Sequence, residues 1–127
     1  MVAALGNELR VRLAPRRLAV SDGVHVELDA TAEDLSILVE TYAHQGSVKS
    51  GHRRKVLADA FKLAFVARTL DRPSRLILLM SCEEAAKCFR RGWPAEALAT
   101  FGIEMKVIEI DAAVRQELQD AQERQYR

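Results

Sequence analysis

Val24-His-Val-Glu-Leu-Asp29 and Leu35-Ser-Ile-Leu-Val-Glu40 are two strand-like runs separated by a short loop, and each of them ends on a carboxylate. In the first run apolar and polar residues alternate, which is the pattern of a strand with one face on a core. The second run is more uniformly apolar and predicts a central strand. Because the two acids end neighbouring strands, we expect them to hold a hard divalent cation through oxygen ligands.

The residues before these runs predict a helix and a further strand. Leu5, Leu9 and Leu13 lie at helical spacing, and Pro15 is expected to stop that helix. A strand follows at Leu18–Val20, so that three strands form an antiparallel meander.

The residues after these runs predict a parallel extension of the same sheet. A long helix at about 52–70 has a broad apolar arc, and the continuous run Leu76-Ile-Leu-Leu-Met80 indicates a strand buried on both faces. A capping-box pattern at Ser81 predicts a helix start, and later elements are expected as a short helix near 94–101, a parallel strand at 103–110 and a terminal helix at 112–127. The predicted fold class is therefore α/β, a single domain over residues 1–127 with a mixed sheet flanked by helices.

Composition limits the classes of function. The chain has 127 residues, of which 49% are hydrophobic and 29% charged, so one hydrophobic core is expected and disorder is not. The net charge of +1 excludes binding to nucleic acid by bulk charge, so any basic surface must be local. No apolar run reaches the roughly 20 residues of a membrane span. The spacing of Cys82 and Cys88 fits neither a zinc knuckle nor a redox pair, so we interpret them as packing residues in a reducing compartment. We therefore expect a cytoplasmic protein, and without a membrane span we expect no membrane partner.

A basic cluster follows the second acid. Lys49, His52, Arg53, Arg54 and Lys55 surround the start of the long helix. Cations at that end of a helix oppose the macrodipole by about 0.3–1 kcal/mol each before screening. A bound phosphate would reverse this balance, so the cluster predicts nucleic-acid binding, whereas the alternative is a solvated run of charges.

The order helix, three strands, helix and strand, with an acid on the second strand and an acid on the third, resembles the PD-(D/E)xK nuclease superfamily, the restriction endonuclease-like fold. The resemblance covers roughly residues 1–81. Asp29 matches the first acid and Glu40 the second, and Tyr42 stands where the family has its lysine. Some members carry that lysine on the following helix, and here the resemblance implies Lys49 or Lys55.

The resemblance also implies a set of metal ligands. Asp29 and Glu40 would bind Mg²⁺ or Mn²⁺, the backbone carbonyl of Thr41 would complete the inner coordination sphere, and Glu8 would contribute from outside it. A metal held there would polarise a phosphoryl oxygen and activate a water molecule.

Two histidines flank the loop that leads into the basic cluster. His44 follows the expected metal ligands closely and is a candidate for a hydrogen bond to phosphate or for proton transfer. His44 and His52 together also suggest zinc, but a zinc site usually needs three or four protein ligands and no cysteine is near them in the sequence.

These observations predict a metal-dependent nuclease that hydrolyses DNA, or an inactive relative that only binds nucleic acid. A homodimer or a partner subunit is expected because the domain is small. The alternative from a different class is a small α/β interaction protein that dimerises through residues 112–127. In that interpretation Asp29 is a turn residue and Glu40 a solvated strand end.

Overall fold

The computed structural model describes residues 1–43 and 50–109 together with Arg124. Its elements follow one another in the order helix, three strands, helix, strand, three short helices and strand. They are α1 (Val2–Leu9), β1 (Leu13–Ser21), β2 (Val24–Ala32), β3 (Ile37–Tyr42), α2 (Ser50–Thr69), β4 (Arg75–Met80), α3 (Glu83–Ala86), the 3-10 helix Lys87–Phe89, α4 (Gly92–Thr100) and β5 (Ile103–Val107).

The strands form one mixed sheet in the order β1-β2-β3-β4-β5. The first three are antiparallel, whereas β4 is parallel to β3 and β5 is parallel to β4. Antiparallel neighbours need only tight turns, and β1 and β2 are joined by one at Asp22-Gly23, where Gly23 has a φ of 72°. Parallel neighbours need a crossover, which α2 supplies for β4. The predicted α/β class and the parallel pairing of β5 are confirmed.

Both faces of the sheet are covered. On one face Leu38 and Leu78 belong to a buried cluster with Leu63 of α2. On the other face Ile77 and Leu79 are buried with Leu5 of α1. Successive residues of β4 thus meet opposite cores, which explains why that strand is apolar without alternation.

The beginning of the chain differs from the sequence prediction. The helix ends at Leu9, because Arg10 adopts a left-handed conformation with φ 55°, and Leu13 and Pro15 lie in β1. Pro15 is compatible with β1 because that strand is at the edge of the sheet, where a missing N–H need not break the ladder. Leu13 still packs with the cluster around Leu5, although it does so from a strand.

Two other predictions concern helix ends and the terminal segment. The helix after β4 is capped by Cys82, whose Sγ accepts a hydrogen bond from the N–H of Ala85 at 3.4 Å, and the predicted cap at Ser81 is wrong by one residue. The predicted helix at 112–127 lies outside the described residues except for Arg124. Across the described residues, no helix is long and apolar enough to span a membrane.

Candidate active site

A β-bulge positions Asp29. Ala14 of β1 pairs with Thr31, but the next paired residue, Arg16, lies opposite Leu28, so β2 carries an extra residue between these pairs. Leu28 packs on the α2 side of the sheet and Ala30 on the α1 side. In a regular strand two residues that are two positions apart face the same side, so the alternation of side chains is shifted by one residue at Asp29. Bulges of this kind re-aim side chains and occur often beside active sites.

Thr41 of β3 holds the Asp29 carboxylate. The backbone N–H of Thr41 donates to Asp29 Oδ2 at 2.8 Å, and the Thr41 hydroxyl donates to the same oxygen at 3.1 Å. The acid of β2 is thereby fixed against the residue that follows the acid of β3. Among the described residues, the hydrogen bonds to the Asp29 side chain all end on Oδ2.

Glu40 is buried and is held from two directions. The Glu40 residue is 2% exposed. Its Oε1 accepts a hydrogen bond from the backbone N–H of Asp29 at 3.1 Å, and its Oε2 lies 3.0 Å from Nζ of Lys62 in α2. Asp29 and Glu40 are thus linked in both directions. The backbone N–H of Asp29 donates to the side chain of Glu40, and the backbone N–H of Thr41, the residue after Glu40, donates to the side chain of Asp29.

Burial raises the pKa of Glu40 above its ordinary value. The hydrogen bond from Lys62 opposes this effect, the negative charge of Asp29 adds to it, and the Asp29 N–H opposes it. A buried carboxylate that is costly to ionise favours the approach of a cation, which would relieve the same cost.

Lys62 was missed by the sequence analysis. Its Nζ also donates to the backbone carbonyl of Glu27 at 2.9 Å, so the ammonium is fixed between β2 and β3. The signal in the sequence is weak: His52, Lys55, Asp59 and Lys62 recur at spacings of three, four and three, which puts them on one stripe of α2. That stripe does not reveal which strand it meets.

The basic residues at the start of α2 are only partly brought to the acids. Lys55 is ion-paired with Asp59 at 3.1 Å and its side chain is 61% exposed. Arg53 and Arg54 are exposed, and His52 is half-buried with its ring centroid 6.1 Å from that of Tyr42. Lys49 and His44 lie outside the described residues.

Tyr42 and Glu8, two further residues that the sequence singled out, have packing and ion-pair partners of their own. Tyr42 is buried in the core on the α2 side, so its ring packs where the resemblance has a lysine. Glu8 is ion-paired with Lys106 of β5. Lys106 pairs with Leu79, which in turn pairs with Thr41, so Glu8 contacts the sheet two strands away from Thr41.

The donor set around Asp29 and Glu40 consists of hard oxygen atoms. Within the described residues there is no group of three or more His, Cys, Asp or Glu side chains arranged to hold a metal ion. Mg²⁺ nevertheless often uses only one or two carboxylates and fills its octahedron with water and substrate phosphates. The carboxylates of Asp29 and Glu40 are donors of the kind that such an ion takes, whereas two oxygen ligands do not fit zinc.

No known protein family, curated protein or solved structure matches this chain.

Proposed function

We propose that the protein is a metal-dependent nuclease that hydrolyses DNA phosphodiester bonds, with Asp29, Glu40 and Lys62 as its active-site residues. The order of α1, the three-strand meander, α2 and β4 supports this proposal, since it is the order on which the resemblance to the PD-(D/E)xK superfamily rests. The two acids lie on the second and third strands of the meander and are joined by hydrogen bonds.

One observation carries the proposal: the ammonium of Lys62 contacts the buried acid of β3 from the following helix. The resemblance includes members in which the lysine sits on that helix. Lys62 therefore replaces Lys49 and Lys55 as the candidate for this role, and Tyr42 at the usual position does not rule out activity.

The charges suit an anionic substrate. Two carboxylates and one ammonium give the site a net charge of −1, and binding of a divalent cation would change it to +1. Such a cation, when bound by Asp29 and Glu40, would polarise a phosphoryl oxygen and make a bound water more acidic.

Each protein group has a definite task in this scheme. Thr41 keeps Asp29 oriented through two hydrogen bonds, so that its other oxygen can face a ligand. The carbonyl of Glu27 accepts a hydrogen bond from Lys62 and would keep it at the site if Glu40 held a cation. The Lys62 ammonium can then orient a water molecule and stabilise charge that develops on the phosphate. Exposed Arg53 and Arg54 near the start of α2 can hold a neighbouring phosphate.

Cleavage of linear and circular DNA tests the proposal. Wild type, Glu40→Gln and Lys62→Met would be incubated with Mg²⁺, Mn²⁺ or a chelator, and Lys87→Met serves as a matched control because Lys87 is exposed on the 3-10 helix. We expect metal-dependent cutting by wild type and the control only. Absence of cutting by folded wild type, or full activity of Lys62→Met, would refute the assignment.

A second function is favoured by a different feature of the same residues. Each oxygen of Glu40 already has a protein donor, so the arrangement is complete as a structural ion pair. In that case the protein is an inactive nucleic-acid-binding or protein-interaction module. Titration with Mn²⁺ distinguishes the two functions, because a purely structural pair gives no thermal stabilisation that depends on Glu40.

A further inference from the structure

The edge strand β1 and the turn before it carry a series of arginines that the proposed function has not used. Arg10, Arg12, Arg16 and Arg17 are all exposed. Arg16 and Arg17 lie on β1, the edge strand of the sheet, and Arg10 and Arg12 lie in the turn between α1 and β1.

Three surface depressions connect these arginines to the candidate active site. The first is lined in part by Arg10 and Arg12, and the second by Arg12, Pro15 and Arg16. The third, of about 420 Å³, is lined by Pro15, Arg16, Arg17, Glu27, Leu28 and Asp29. The first and second depressions share Arg12, and the second and third share Pro15 and Arg16, so they form a row of adjoining depressions along β1, the β1 groove, whose last member includes Asp29.

The four guanidinium groups have no carboxylate partner within the described residues, as is also true of exposed arginines elsewhere, such as Arg68 and Arg91. Elsewhere in the described residues Lys55, Lys62, Arg75, Arg90 and Lys106 each form an ion pair. Within the same part of the chain, none of the arginines along the groove forms one. Arg16 donates from Nη1 to the backbone carbonyl of Glu33 at 2.8 Å, which uses one of its five donors.

We infer that the β1 groove, defined by Arg10, Arg12, Arg16 and Arg17, binds the phosphate backbone of DNA and leads the strand to Asp29. The choice of DNA as partner rests on the proposed function. Guanidinium groups suit this role because their planar donors bind phosphate in a bidentate manner.

The length of the groove fits a run of phosphates. Arg12 and Arg17 are five residues apart, and an extended chain rises about 3.3 Å per residue, so they span about 17 Å. One strand of B-DNA rises about 3.4 Å per nucleotide, and the same span therefore covers about five nucleotides.

Protection of the sheet edge is the competing explanation. Charged side chains and proline on an edge strand discourage pairing with other chains, and Pro15 and the arginines have both properties. That role would leave DNA affinity independent of the β1 arginines, so the two explanations predict different binding results.

Binding of a labelled DNA duplex, measured by fluorescence anisotropy across a salt series with chelator present, tests the inference. The variant Arg12→Gln/Arg17→Gln removes two groove cations that make no hydrogen bond or ion pair within the described residues. Arg68→Gln/Arg91→Gln is the control, because it removes the same charge from exposed positions on α2 and at the start of α4.

We expect the wild type to bind with an affinity that falls steeply with salt, and the groove variant to have a log–log slope smaller by about 1.8, since each lost phosphate contact removes about 0.9. The control variant should keep the wild-type slope. Absence of binding by wild type, an unchanged slope in the groove variant, or an equal reduction in the control would each overturn the inference.

A cleavage assay with Mn²⁺ on the same proteins separates this inference from the proposed function. Salt-dependent binding through the groove without cutting would leave the inference standing and refute the nuclease. Cutting by wild type with an unchanged slope in the groove variant would refute the inference and leave the nuclease standing.

Discussion

Nζ of Lys62 lies 3.0 Å from Oε2 of Glu40 and joins the middle of α2 to the end of β3. The side chain of Glu40 is 3% exposed and that of Lys62 is 32% exposed, so the pair is buried at its acidic end and open to solvent at its basic end. This geometry leaves the lysine side chain partly exposed to solvent while the carboxylate is enclosed by the protein.

Replacement of Lys62 by Met should lower the stability of the fold as well as abolish cleavage. A buried carboxylate that loses a charged hydrogen-bond donor costs roughly 1–3 kcal/mol, and the loss of a positioned catalytic group lowers the rate about 10²–10⁴-fold. Urea denaturation and DNA cleavage measure the two effects. Lys87→Met should change neither of them by a comparable amount, and equal destabilisation of that control would contradict the prediction.

Divalent metal should stabilise the protein against heat. At a free Mn²⁺ concentration of about 100 times Kd, the gain is about 2.7 kcal/mol, which corresponds to a rise in Tm on the order of 10 °C for a domain of this size. The rise should be absent from Asp29→Asn and from Glu40→Gln. A rise of the same size in either variant would show that the metal binds elsewhere.

The hydroxyl of Thr41 should tune metal affinity without binding the metal itself. Thr41→Val removes the hydroxyl that donates to Asp29 Oδ2 but keeps the backbone N–H that donates to the same atom. Loss of such a supporting hydrogen bond typically weakens metal binding about 10–100-fold. Thr41→Ser retains the donor and is the matched control. Calorimetric titration with Mn²⁺ that gives equal affinities for wild type and Thr41→Val would argue against this role.

The stability of the protein should depend on pH through Glu40. Its pKa in the folded state is raised above the ordinary 4.5, so the folded chain binds the proton more tightly than the unfolded chain. The contribution of Glu40 to the free energy of unfolding is therefore most favourable below that value and declines as pH rises through the window above it.

The difference in Tm between wild type and Glu40→Gln, measured from about pH 4 to about pH 7, isolates this contribution because other groups cancel. Wild type should lose stability relative to the variant as pH rises. A difference that stays constant, or one that changes in favour of wild type, would contradict the direction of the pKa shift.

The sequence was sufficient to predict most of the fold, because the alternating run at 24–29 and the continuous apolar run at 76–80 have patterns that few alternatives share. The hydrogen bonds that join Asp29 and Glu40 follow from that strand order. Their role as metal ligands stays a prediction.

The errors have physical causes. Leu13 continued the spacing of Leu5 and Leu9, yet it reaches the same cluster from a strand after the chain turns at Arg10. Lys62 could not be found because its partner is 22 positions away, and helical periodicity defines a face of α2 without defining which strand end that face meets. The bulge at Asp29 also depends on pairing between strands and leaves no pattern within either strand alone.

The bulge at Asp29 divides the β1–β2 hairpin into two parts, and the alternation of side chains between the two faces of the sheet is shifted by one residue from one part to the other. Residues of β2 on the turn side of Asp29 alternate in one phase and residues after it in the other, and a second register shift between Ala19 and Ser21 separates the turn at Asp22-Gly23 from the rest of the hairpin. We expect the turn itself to accept an insertion while Leu18 and Val26 keep facing the core on the α2 side and the Glu27 carbonyl keeps its hydrogen bond from Lys62. A laboratory that wishes to attach a targeting peptide or a reporter to this protein would find at that turn a position insulated from the acids.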